Sequence, residues 1–262
     1  METGATAGTV LWLAFAVSFA FGLIALALWQ GAVWVTHTPS YVMPGPMDIA
    51  QAFWQAREAL GAGLLSTLAV TGAALLSSTV LGVFLAVAMA ASPLFRFAVQ
   101  PWAVVVQVTP VVAIAPLIII WVGQPFLALV VCAVVVSFFA ILSNTAAGLA
   151  ATPPELMDLF RLNGATRWQV LFQLSLPYAL PYFLTGLRLA GTLALVGAVV
   201  AEFVAGSGGF ASGLAWEIIE ASYRLQIPRM FAALLLLGVA GIGIYALLGA
   251  LERLVLARRD GT

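Results

Sequence analysis

The sequence predicts an all-α polytopic membrane protein with six transmembrane helices and one polar helical element on the cytoplasmic side. Three observations lead there. The 262 residues are 63% hydrophobic and 8% charged, with a mean hydropathy of +1.12, whereas a soluble domain carries roughly 25% charged residues. Six apolar stretches are each long enough for the about 20 helical residues that cross a hydrocarbon core roughly 30 Å thick. One long polar interruption, Pro153 to Pro177 (PPELMDLFRLNGATRWQVLFQLSLP), gathers Glu155, Asp158, Arg161, Asn163 and Arg167 in a chain otherwise starved of charge.

Composition also excludes chemistries. All ten basic residues are arginine. Without lysine there is no G-x-x-x-x-G-K-[ST] phosphate loop and no Schiff-base catalysis, so any use of ATP requires another chain to bind it. One histidine, His37, and one cysteine, Cys132, are too few for an ordinary structural zinc or haem site. No catalytic, metal or cofactor residue is expected in this chain. Cys132, inside PFLALVVCAVVVSFF, is expected to be a small buried thiol. The net charge of zero gives no sign of a nucleic-acid partner.

Taken in order, Thr9 to Val35 is too long for a signal h-region and follows no basic n-region. It is expected to be a retained first span, with Trp29 and Trp34 as interfacial anchors. Thr36 to Pro46 is a loop with three prolines and a glycine, and His37 within it is expected to be solvated. MDIAQAFWQAREAL then reads as a short amphipathic helix ending at Gly61 and Gly63. The second span, about 64–90, carries Ser66, Thr67, Thr71, Ser77, Ser78 and Thr79, small hydroxyl residues that favour close helix packing in a bilayer.

The third span, about 98–122, contains Gln107, Thr109, Pro110 and Pro116. Its prolines are expected to kink it and free carbonyls, which membrane depth tolerates only beside protein or a water-filled cavity. Gly123 to Pro125 makes a tight turn, the fourth span is about 126–146, and the fifth is about 178–204. Arg188 and Glu202 lie within the fifth, and ionisable groups at membrane depth are costly enough to suggest function. Gln107, Thr109, Pro110, Asn144, Arg188 and Glu202 are therefore the candidate pathway residues. A glycine-rich break and a short amphipathic helix follow over 206–229, with Trp216, Ile219 and Tyr223 on one side and Glu217 and Glu220 towards the other. The last span, about 230–251, ends in the charged tail ERLVLARRDGT.

Arginine counting orients the spans. With the N-terminus in the cytoplasm, the inside segments hold Arg96, Arg161, Arg167, Arg253, Arg258 and Arg259, and the outside segments hold Arg57, Arg224 and Arg229. Both termini and the stretch from Pro153 to Pro177 are then cytoplasmic. Within that stretch Thr152 is placed as an N-cap and Pro153-Pro154 in the first turn. Glu155 and Asp158 sit at the favourable end of the helix dipole, and Asn163-Gly164 is a stop signal. A second helix is expected from Ala165, closing at Leu176-Pro177. Leu156, Leu159, Phe160 and Leu162 form an apolar patch that needs a partner to cover it.

The spacing Asp158-x5-Gly164-x9-Leu174-x-Leu176-Pro177 resembles the EAA loop of bacterial ATP-binding-cassette importer permeases, E-A-A-x3-G-x9-I-x-L-P. Asp158-Leu159-Phe160 stands where Glu-Ala-Ala is usual, and Leu174 where isoleucine is usual. Gln107, Pro110, Ala113, Pro116, Leu117 and Trp121, with Ala201-Glu202-Phe203, look like the nitrate, sulfonate, taurine and pyrimidine-precursor branch. The resemblance covers nearly the whole chain as a single permease domain of the type I importer fold in the inner membrane. It implies a homodimeric pore fed by a periplasmic binding protein and driven by a cytoplasmic ATPase dimer, which holds the ATP and Mg. Carried over, Asp158, Gly164, Leu174 and Pro177 would be the coupling positions, with Glu155, Arg161, Asn163 and Thr166 as their polar neighbours. The segments around Glu202 and Ile227-Pro228-Arg229 look more like permeases for nitrogen heterocycles, such as riboflavin or thiamine-pyrimidine precursors. Nitrate, sulfonate or taurine is the alternative.

The rival class is a secondary transporter with Arg188 and Glu202 as a proton-coupled pair. They stand 14 residues apart, about 21 Å along one helix, which forbids pairing within one chain.

Overall fold

A computed structural model describes the backbone of residues 3–206 and 212–260, and side chains from residue 16 to 258 apart from 18, 19 and 207–211. The described residues are helical in the order α1 (Thr3–Thr36), α2 (Pro46–Gln55), α3 (Arg57–Ala91), α4 (Pro93–Val108), α5 (Val111–Val122), α6 (Pro125–Ala150), α7 (Pro154–Leu162), α8 (Arg167–Gln169), a π-helical turn (Val170–Ser175), α9 (Leu176–Ala205), α10 (Leu214–Tyr223) and α11 (Ile227–Asp260). Helix suits a lipid-embedded chain because it satisfies its own backbone hydrogen bonds.

Four helical runs are long and apolar enough to cross a membrane: α3, α6, the continuous run Arg167–Ala205 and Ile227–Arg258. The α4–α5 pair makes a fifth crossing if it is taken as one broken span. The expected first span falls partly on side chains outside the described residues, and its apolar stretch Ala20–Thr36 is short of span length by itself.

The interior is built on small residues. Along α6 and α9, Gly148 faces Ala179 and Tyr182, Gly186 faces Ala140 and Asn144, and Gly197 faces Ala133 and Val136. The two helices are thus antiparallel and nearly in backbone contact, the approach that small residues permit in a bilayer. Gly82 of α3 sits on Ile141, and Ser78 bonds Ser137 at 2.7 Å, so α3 runs parallel to α6. Gly191 and Gly249 let α9 and α11 pack antiparallel through Ile244, Leu248 and Arg188.

Three sets of buried residues stack along the bundle. Met89, Ala103, Leu142, Leu149, Leu171 and Ala179 pack at the end next to α7. Val70, Ala115, Leu129, Ala133, Ala194 and Ala198 lie further along. Ile49, Leu60, Leu214, Ile218 and Ala232 join α2, α3, α10 and α11 at the opposite end.

Several local expectations are corrected. The third span is two helices bent by 102°, with Ala103 packed at the α7 end and Ala115 further along. Pro110 supplies no N–H and drives Thr109 to an extended conformation, φ −72° and ψ 120°, so the helix breaks where a kink was expected. Gly61 and Gly63 stop nothing, because α3 runs through both. Gly63 instead lets the backbone at Gly213 and Leu214 approach to about 3.3 Å of where its Cβ would be.

Pro177 does not close a helix either, since the run continues from Arg167 to Ala205. A proline ring would strike the carbonyl four residues back. The wider π-turn just before it, in which the Leu176 N–H reaches Leu171 O, relieves that clash. In α10 the buried side is Leu214, Ala215, Glu217, Ile218 and Ala221, and Tyr223 is exposed, so Glu217 points inward rather than away from the packed face. Cys132 is buried and His37 exposed, each where the sequence places it.

Candidate functional site

The polar element at one end of the bundle is a helix, a left-handed turn and a second helix start. α7 begins at Pro153-Pro154. Thr152 does not cap it: its hydroxyl is buried and donates back to Leu149 O at 3.0 Å. Gly164 ends it with φ +76°, a backbone region that L side chains avoid. The Gly164 N–H donates to Arg161 O and the Ala165 N–H to Phe160 O, at 2.9 and 3.0 Å, satisfying carbonyls that the helix end would otherwise orphan. Two residues on, Thr166 and Gln169 form a reciprocal capping box. The Thr166 N–H donates to Gln169 Oε1 at 2.7 Å and the Gln169 N–H donates to Thr166 Oγ1 at 3.3 Å.

Much of what this element shows to solvent is apolar. Leu159 is 53% exposed, Leu162 86% and Trp168 61%, and Trp168 stacks on exposed Phe172 with ring centroids 5.9 Å apart. Glu155, Asp158, Arg161, Asn163 and Thr166 are exposed around it, Leu174 is half-buried, and Pro177 is exposed. Asp158 and Arg161 pair at 3.2 Å with both side chains two-thirds exposed, an arrangement worth little to stability. The rigid part is therefore the turn, and the apolar side chains are the surface it displays. Trp168 and Phe172 were not singled out from the sequence; their i, i+4 spacing on one helical face was the available signal.

The six candidate pathway residues fall in separate places. Gln107, Thr109 and Pro110 sit at the α4–α5 break, with the Thr109 hydroxyl donating back to Val105 O at 2.7 Å. Asn144 lies in the α6–α9 contact, its Nδ2 donating to Ala140 O at 2.8 Å beside Gly186. Arg188 reaches α11, where Nη1 is 3.5 Å from Glu252 Oε2 and the guanidinium lies 3.8 Å from the centre of the Tyr245 ring. Thr185 also donates to Glu252, at 3.1 Å. Glu202 is buried at the other end of α9, where its carboxylate accepts from Thr67 Oγ1 at 2.8 Å and from the Ala215 N–H at 3.1 Å. Arg188 and Glu202 thus belong to different clusters. Glu252 and Tyr245 were not legible as partners, because nothing in a linear pattern aligns α9 with α11. No group of three or more His, Cys, Asp or Glu side chains able to hold a metal occurs among the described residues.

The match to known proteins is broad. Residues 78–257 match the family model for the binding-protein-dependent transport system inner membrane component. The chain belongs to that family. This permease is 37% identical over 238 residues to the riboflavin transport system permease protein RibX of Chloroflexus aurantiacus, covering 89% of this chain and 86% of the relative. It is 33% identical over 240 residues to the formylaminopyrimidine transport permease protein ThiX of Halalkalibacterium halodurans, covering 91% and 94%. Its fold is shared by a crystal structure of an amino acid ABC transporter with histidines, at a TM-score of 0.64 and 22% identity, covering 78% of this chain and 97% of that one. The permease is a multi-pass transport component of an importer, and the element around Gly164 lies within the matched region.

Proposed function

We propose that this permease imports a planar nitrogen heterocycle of the riboflavin or formylaminopyrimidine kind. The observation that carries the reading is the near full-length similarity to RibX and ThiX. The scarcity of unpaired cations at membrane depth suits a neutral solute, since Arg188 is paired with Glu252. In this reading a second copy of the permease completes the pore, a periplasmic binding protein delivers the solute, and a separate ATPase dimer holds the ATP and Mg. α7, Gly164 and the Thr166 cap dock on that ATPase from the cytoplasm, where both termini also lie. The exposed leucines and Trp168 provide the apolar contact, and the capped turn provides its stiffness. Gln107, Thr109, Pro110 and Asn144 line the route once two copies assemble.

The test is uptake into proteoliposomes that contain the permease, its ATPase and its binding protein, with labelled riboflavin, formylaminopyrimidine, taurine and nitrate compared directly. ATP-dependent uptake of a heterocycle, unaffected by excess taurine or nitrate, is the expected result. Uptake of taurine or nitrate alone would overturn the solute assignment. Uptake by the permease alone on a proton gradient would overturn the ATPase assignment.

A further inference from the structure

Glu202 is 3% exposed, and its carboxylate sits where α3, α9 and α10 converge. Thr67 of α3 donates its hydroxyl to Glu202, 2.8 Å from Oε1 and 3.1 Å from Oε2, and accepts from the Leu214 N–H at 2.9 Å. The next amide of α10, Ala215, donates to Glu202 Oε2 at 3.1 Å. Two of the N–H groups that a helix start leaves unpartnered are thus met by one side chain from each of two other helices. Space is reserved for it. A Cβ on Gly213 would fall 2.1 Å from Glu202 Oε1, and one on Gly63 would fall 3.3 Å from Gly213 C and Leu214 N.

α10 is also held from its first turn towards its C-terminal end by ion pairs. Arg229, at the start of α11, reaches Glu217 at 2.5 Å and Glu220 at 3.8 Å, and Arg224 reaches Glu220 at 2.8 Å. Ten residues with so many polar anchors do not need Glu202 merely to stay folded. What Glu202 adds is a tie to α9 in particular. That helix belongs to the continuous run that starts at Arg167, next to the capped turn, and Glu202 lies about 50 Å along it at 1.5 Å per residue. Thr67 and Glu202 therefore join the far end of this long continuous run to the short helix on the outer face.

We propose that Glu202 and Thr67 are positioning residues that make α10 move with α9, so that a solute-loaded binding protein on the outer face stimulates ATP hydrolysis through this contact. The proposal rests on the ATPase and binding-protein reading given above. It is tested on two arms, so that the two can fail separately.

In the permease alone, hydrogen exchange is read at the Leu214 and Ala215 amides. Thr67→Val keeps the shape and removes both the acceptor of the Leu214 N–H and the donor to Glu202, and exchange at Leu214 is expected to rise about ten-fold, the upper end of the effect of losing one neutral hydrogen bond; Thr67→Ser keeps the wild-type value. In the reconstituted complex, Thr67→Val is expected to leave basal ATP hydrolysis unchanged, and Glu202→Gln is compared with it for binding-protein stimulation. Binding-protein stimulation should fall about ten-fold, within the usual range for coupled sites, and Thr67→Ser should retain it. Wild-type exchange in Thr67→Val, or wild-type stimulation in a Thr67→Val complex, overturns the proposal. Should Glu202→Gln fail to insert, the Thr67 pair still decides it. Absence of stimulation in the wild-type complex defeats the partner reading, and the exchange arm then judges the contact by itself.

Discussion

Replacing Gly164 isolates the turn that fixes α7 against the start of α8. Its φ is +76° and a Cβ there would meet nothing within 4 Å, so a substitution carries a backbone cost and no steric one. The left-handed region costs an L-residue about 1–2 kcal/mol, with asparagine among the few that visit it routinely. At about 1.4 kcal/mol per factor of ten, Gly164→Ala lowers the equilibrium constant of the formed turn roughly 5- to 30-fold. Gly164→Asn costs less, and Gly164→Val costs more because β-branched residues are genuine outliers at positive φ. ATP-dependent uptake, assayed in proteoliposomes at limiting ATPase, should therefore fall in the order Gly, Asn, Ala, Val. The amount of permease in the membrane should stay constant, because Gly164 packs against no other element. An alanine variant with wild-type uptake would refute the reasoning. So would an asparagine variant worse than valine, or losses that track membrane content.

Four further outcomes follow from packing. Gly197→Ala places a Cβ 2.8 Å from Ala133 Cα, a backbone atom that cannot swing aside, and should destabilise the α6–α9 contact by about 1–3 kcal/mol. Gly72→Ala meets nothing within 4 Å and should be neutral or stabilising by up to about 1 kcal/mol; thermal unfolding in detergent separates the two. Arg188→Ala leaves the Glu252 carboxylate with Thr185 alone and should cost about 1–3 kcal/mol, less than the range for a fully buried pair because both side chains keep some solvent access. Glu252→Ala added to it should cost less than the sum of the single changes, which a double-mutant cycle measures. Ser137→Ala removes the 2.7 Å bond to Ser78 and should lower stability by about 0.6–1.7 kcal/mol, read in the same unfolding assay.

Short-range features were legible in the sequence. The stop at Asn163-Gly164 could be read because a left-handed glycine is set by residues within a few positions of it, whereas Thr152, expected as an N-cap, bonds back to Leu149, and the cap at Thr166 was not read where a helix start at Ala165 was expected. Hydroxyl residues on α3 were legible as packing groups: Thr71, Ser77 and Thr79 bond back to Thr67, Ala73 and Leu75 of their own helix. Punctuation by proline and glycine was less dependable. Pro110 broke its helix, Pro177 was absorbed by a π-turn, and Gly63 served a neighbouring backbone rather than a stop. In each case the outcome turned on what could meet the freed carbonyl or fill the space left by a missing side chain.

The polar residues show the same division. Glu202 and Arg188 were identifiable as costly at membrane depth from composition alone, and their separation along one helix already forbade pairing. Their partners, Thr67 and Ala215 for one and Glu252 and Tyr245 for the other, depend on how α9 lies against α3, α10 and α11. That alignment is set by the small-residue contacts of Gly186, Gly191 and Gly197, whose register no linear pattern specifies.

By itself, the sequence determined that this chain lives in a membrane, that it cannot bind ATP through a lysine phosphate loop, and that its polar element is a helix, a glycine turn and a second helix with a displayed apolar face. These follow from composition and from interactions spanning only a few residues. The tertiary structure alone decided which helices touch and that the third span is broken. It also decided that a buried carboxylate joins the C-terminal end of α9 to α3 and α10. Such contacts link residues up to 135 positions apart, as Thr67 and Glu202 are, and only the packing of whole helices brings them within bonding distance.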